Sequence, residues 1–261
     1  MLFPYEHYET LAEPLTVYYP AGEEARARWA YQTIEKAGQA LTQLLGQPMP
    51  ELEIVLVAPA DWSLAPHDEE ADQDEYPHPY WTEATTPPSI VIPAEVDLIF
   101  GEMTQEKLAY MLYHELTLAF VEADLRPWPE EYPLWADEWQ LKFAALWLSQ
   151  CLDHVQGVVN KDLHEQYAEI FEPEPDGKTP DTVRGFDWYE DTSPEAYLCY
   201  ELLLEQFAAD LLATYSPDIL PRFLSLYRRE QATLLSEDVT VMLASVLGPD
   251  GAAWLEDRVY F

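Results

Sequence analysis

Apolar positions change their period along the chain, and the changes mark out elements before any residue is given a role. Residues 15–19, Leu-Thr-Val-Tyr-Tyr, are rich in β-branched and aromatic side chains and stop at Pro20-Ala21-Gly22, which predicts a strand. From 23 to 45 apolar residues recur with helical spacing, and Gly46 and Pro48 close that helix. Residues 52–57 and 89–93, Leu-Glu-Ile-Val-Leu-Val and Ser-Ile-Val-Ile-Pro, read as two further strands. After Thr104, a helix N-cap by its hydroxyl, the apolar periodicity runs through Leu108, Met111, Leu112, Leu116 and Phe120, and Arg126-Pro127-Trp128-Pro129 ends the run. The next helix, over 134–152, is rich in Trp, Leu and Ala and is predicted to be buried over much of its surface. Three more helices follow over 194–215, 217–231 and 238–247.

Two stretches interrupt this order. Between the second and third strands, 59–88 is long, acidic and Pro-bearing, with Asp68 and the run to Glu75 flanked by His67 and His78. It lacks the residue order of a calcium loop and reads as a solvated excursion, and as a candidate flap over a cleft. The Pro-rich Glu172-Pro173-Glu174-Pro175-Asp176-Gly177 marks a break in the mixed region 153–193. The predicted fold class is α+β and mainly helical: a lobe over 1–153 with a small mixed sheet, then a helical domain over 154–261.

At 261 residues and 48% hydrophobic content, the chain can bury a sizeable core. Its 13 basic and 49 acidic residues give a net charge of −36, which repels nucleic-acid phosphate and anionic membrane surfaces; neither is expected as a partner. Such acidity serves solubility first, and a surface for basic partners second. Cys151 and Cys199 stand singly in apolar surroundings, so buried free thiols are expected rather than a zinc knuckle or redox pair. No apolar run reaches membrane-spanning length, and the N-terminus lacks a basic flank and an apolar stretch, so a cytoplasmic location is expected.

The helix that follows Thr104 carries Tyr113-His114-Glu115-Leu116-Thr117-Leu118. Glu138 follows, in Pro133-Leu134-Trp135-Ala136-Asp137-Glu138-Trp139 at the entry of the next helix. Together these phrases resemble the gluzincin, or peptidase MA, superfamily of zinc metallopeptidases, in which a His-Glu-x-x-His helix precedes one whose Glu completes the metal site. The resemblance implies a zincin-like N-terminal lobe followed by a helical domain. It also implies metal ligation by His114 and Glu138, a general base at Glu115, and an intermediate-stabilising phenol at Tyr200 of Tyr200-Glu201.

The departure from the pattern is Leu118. Residues i and i+4 project from one helix face, which is why two imidazoles at that spacing can share an ion, and an isobutyl group offers no lone pair. His114 and Glu138 alone fall short of three protein ligands, so tight zinc binding is not expected unless an unforeseen donor completes the site. The first functional expectation is a catalytically impaired metallopeptidase-like protein that keeps a cleft for a peptide or protein segment, added along an edge strand at Ile90. The alternatives are a working metal-dependent hydrolase with a non-standard ligand set, and an acidic interaction protein that binds a basic partner.

Overall fold

Two five-residue runs without an exposed side chain organise the N-terminal half. In the computed structural model, which describes residues 3–12, 14–68, 77–171, 182–186 and 192–261, these are β3 (Glu53–Val57) and β5 (Ser89–Pro93). Most of the acidic run (69–76) and the Pro-rich break (172–177) lie outside the described residues.

The strands pair in parallel, Ile54 beside Ile90 and Leu56 beside Ile92. β2 (Thr16–Tyr19) adds in parallel on the far side of β3, and β1 (Glu9–Leu11) and β4 (Tyr80–Thr82) close the two ends antiparallel. The sheet order is therefore β1-β2-β3-β5-β4. This places β5 inside the sheet and corrects the expectation that the strand at Ile90 is an edge: both of its sides are paired, and the edge is β4.

Strands buried on both faces read as continuous apolar runs, and each face here has its own cover. Val55, Val57 and Val91 pack with Phe3, Tyr8 and Ala65, backed by Trp62, Leu64 and Tyr80. Alternation turns Ile54, Leu56, Ile90 and Ile92 to the opposite face, and α1 (Glu24–Leu45) and α2 (Gln105–Glu122) pack on each other and on the sheet. Gly46 ends α1 in the left-handed region at φ 69°, with its N–H donating to the Thr42 carbonyl. The Thr104 hydroxyl accepts from the Lys107 amide at 3.2 Å and starts α2.

The second half is helical: α3 (Trp135–Leu152), α4 (Lys161–Gln166), α5 (Pro194–Thr214), α6 (Ile219–Tyr227), α7 (Ser236–Leu247) and α8 (Gly251–Glu256). Trp139 is fully buried among the rings of Phe143, Phe207 and Phe223. The Ser193 hydroxyl caps α5 and Pro194 occupies its first turn. The fold is thus α+β and mainly helical, as the periodicity predicts.

By packing, the chain divides into units of residues 1–123 and 124–261. The sequence reading groups helix 134–152 with the N-terminal lobe; in the structure α3 packs on α5 and α6 and belongs to the helical unit. The expected burial of both thiols does not hold, because Cys151 lies in the last turn of α3 and is exposed, while Cys199 is half-buried. Among the described residues no helix is long and apolar enough to cross a membrane.

Candidate functional site

His114, Glu115 and Leu118 come from the N-terminal unit, Glu138 and Tyr200 from the helical unit.

On α2, His114 and Leu118 are one turn apart and both half-buried, so the aliphatic side chain occupies the position from which a second imidazole would project. His114 Nδ1 lies 2.9 Å from Glu115 Oε1, a hydrogen bond in which the ring N–H donates. The other carboxylate oxygen, Oε2, accepts the backbone N–H of Trp81 at 2.8 Å. Trp81 sits in the middle of edge strand β4, paired in register with Ile90. An amide turned toward α2 is not available to the ladder with β5 or to an added strand. Glu115, at the general-base position of the motif, thus closes the outer edge of the sheet.

The Thr117 hydroxyl donates to the Tyr113 carbonyl at 2.7 Å, within the helix. The donor set of this helix does not fit the paired-histidine zinc centre that the resemblance implies: one imidazole is present, and the next turn offers a hydrocarbon. Among the described residues no group of three or more His, Cys, Asp or Glu is arranged to hold a metal ion.

In the helical unit, Glu138 is half-buried in the first turn of α3, and Tyr200 lies inside α5 rather than at its start. Their helices pack on each other. Burial, then the charges of Glu138, Glu201 and Asp137, pushes the Tyr200 hydroxyl well above the usual phenol range. Its ring is buried and stacked on Phe186, with centroids 4.1 Å apart and planes 10° apart. The hydroxyl has no hydrogen-bond partner among the described residues. A phenol that feels these carboxylate charges is poorly placed to stabilise a developing oxyanion, because they repel the anion it would have to hold, although Glu201 is itself paired with Lys142.

Two features of the site have no local sequence signature. Asp137 is pushed up to about 7 by burial; the nearby Tyr227 and Tyr132 hydroxyls and the Arg228 guanidinium oppose the rise, and the Glu138 charge adds to it. The Arg228 guanidinium lies 3.6 Å from the centre of the Trp128 ring and donates to the Asp124 carbonyl. Tyr227 and Arg228 are about ninety residues from Asp137, so no spacing rule reaches them. Trp135 and Trp139 of the Pro-x-Trp phrase are core aromatics, at most 1% exposed. Comparison of the sequence with protein-family models and with curated proteins finds no match.

Proposed function

We propose that this protein is a catalytically silent relative of zinc metallopeptidases that acts by binding a polypeptide segment rather than by hydrolysing one. The observation that carries the reading is the use of Glu115, whose two carboxylate oxygens are taken by His114 and by the Trp81 amide. A general base turns its carboxylate toward water, whereas here each oxygen already holds a protein donor and the carboxylate fastens a strand to a helix. The side chain at 118 supports the same conclusion from the metal side.

Two measurements test the reading. Protein purified without chelator contains no stoichiometric zinc by elemental analysis, and neither zinc, manganese nor cobalt elicits peptidase activity that Glu115→Gln abolishes. Stoichiometric metal, or such an activity, refutes it. Kinship with the peptidase scaffold is read separately: Leu118→His creates zinc affinity if the other ligands are in place. If the scaffold is unrelated, the substitution yields no zinc binding and only the loss of a partly buried leucine, at a cost of up to about 2–4 kcal/mol.

The net charge of −36 favours a basic partner for such a binding protein.

A further inference from the structure

Two chain segments of the helical unit run side by side and leave apolar side chains in solvent. The Leu234 amide donates to the Glu131 carbonyl at 2.8 Å, and the Trp135 indole donates to the Ser236 hydroxyl at 2.9 Å. These two bonds bracket Tyr132, Leu134 and Leu235, which are 40%, 36% and 62% exposed. Tyr132 also stacks on the half-buried Trp128, with ring centroids 5.7 Å apart. Isolated exposed apolar residues are ordinary, but three on laced segments beside a stacked tryptophan form a contiguous surface.

The rim of this surface is acidic. Glu130, Glu131, Glu230, Glu237 and Asp238 are all exposed, and residues 130–138 and 230–241 contain no Lys or Arg. Two of these carboxylates are fixed at the patch itself: Asp238 accepts the Leu235 amide at 2.9 Å and Glu131 accepts the Thr233 hydroxyl at 3.4 Å. The basic side chains nearby are Arg126, which is exposed and paired with Asp124 at 2.5 Å, Arg228, which is buried against Trp128, and Arg229, which is exposed. A second copy of this chain would bring the same net charge of −36 to the contact and is disfavoured.

We infer that this patch docks a basic amphipathic polypeptide segment, its apolar stripe covering Trp128, Tyr132, Leu134 and Leu235 and its Lys or Arg side chains meeting the surrounding carboxylates. Apolar contact supplies the affinity, and the rim supplies sign selection and a fast encounter. The patch belongs to the helical unit alone, and its test reads neither metal nor hydrolysis, so it stands or falls independently of the peptidase kinship.

The test uses the full chain and a fluorescent helical peptide of Lys and Leu about five turns long, with a Glu and Leu peptide of equal length as control. The expected result is binding of the basic peptide only. Leu134→Ser or Leu235→Ser weakens it about tenfold or more, and Val259→Ser, at another exposed apolar position, leaves it unchanged. Glu237→Lys weakens it more than Glu6→Lys, which makes the same charge change on the other unit. The inference is overturned if the basic peptide does not bind or if the two leucine variants bind as the parent does. Equal effects of the two charge reversals also overturn it, as does sedimentation showing a dimer that Leu235→Ser dissociates.

Discussion

Glu53 and Glu205 are both nearly inaccessible to solvent, yet their surroundings give them opposite effects on stability. Glu53, on the central strand, is raised above 4.5 because burial outweighs the Ser89 hydroxyl, which donates to it at 3.1 Å, and the neighbouring Tyr5 hydroxyl. A carboxyl raised by folding contributes stability below its unfolded value and loses that contribution as pH rises through its folded value. Glu53→Gln is therefore expected to raise the urea midpoint at pH 7, with the gain vanishing below about pH 4. Burial also works against Glu205, but the donors around it win and hold it below the usual range. They are His164 at 3.2 Å, the Asn160 side chain at 2.9 Å and the Val159 amide at 2.6 Å. Its stabilisation is present above its unfolded value and is lost as pH falls through the folded one. Glu205→Gln should cost about 1.5–3 kcal/mol at pH 7, a deficit that shrinks on acidification in the same urea series. The sequence shows His164 only as half of a His-Glu pair with Glu165; the partner that matters is 41 residues away, one face of α5 meeting α4.

At the scale of elements, β4 and α8 depend on contacts rather than on their own propensity. β4 has three residues, and its central amide is held by Glu115 of α2. Glu115→Ala should speed hydrogen exchange of the Trp81 amide by about tenfold or more while leaving the central strands protected, since local opening follows local contacts; unchanged Trp81 exchange would refute the clamp. α8 packs on α7 through Gly251, where an added Cβ would collide with the Ala244 carbonyl oxygen and, at 2.8 Å, with the Leu247 Cβ. The obstruction is largely backbone, so Gly251→Ala should lower stability by about 1–3 kcal/mol in thermal or urea unfolding. The elements with a helical period or a long apolar run, α1, α2, α3, β3 and β5, are legible in the sequence. The three-residue strands β1 and β4 are not, because so short a run carries no measurable alternation and exists through its partner.

For the whole molecule, 49 acidic against 13 basic residues makes self-repulsion a term that ions can relieve. Raising sodium chloride from about 0.01 to 0.15 M shortens the Debye length from about 30 to 8 Å, and the thermal midpoint is expected to rise over that interval. A midpoint that falls or stays level would mean that close ion pairs, such as Lys142 with Glu201, outweigh the repulsion. The same screening should weaken the docking of a basic segment, so stability and binding are expected to respond to salt with opposite signs.

The amino-acid order by itself determined the mixed sheet's two central strands, the long helices with their caps at Thr104 and Gly46, and the hydrocarbon at 118, because each is written in local spacing or in the chemistry of one side chain. Tertiary structure decided what those features are used for. It put β5 inside the sheet and β4 at its edge, joined Glu115 to a backbone amide 34 residues earlier, gathered carboxylates around the Tyr200 phenol, and laced 131–135 to 234–236 so that apolar side chains meet an acidic rim. The physical reason is that periodicity reports which face of an element is apolar, whereas a carboxylate's role depends on which donors and charges the rest of the chain carries to within hydrogen-bonding distance of it.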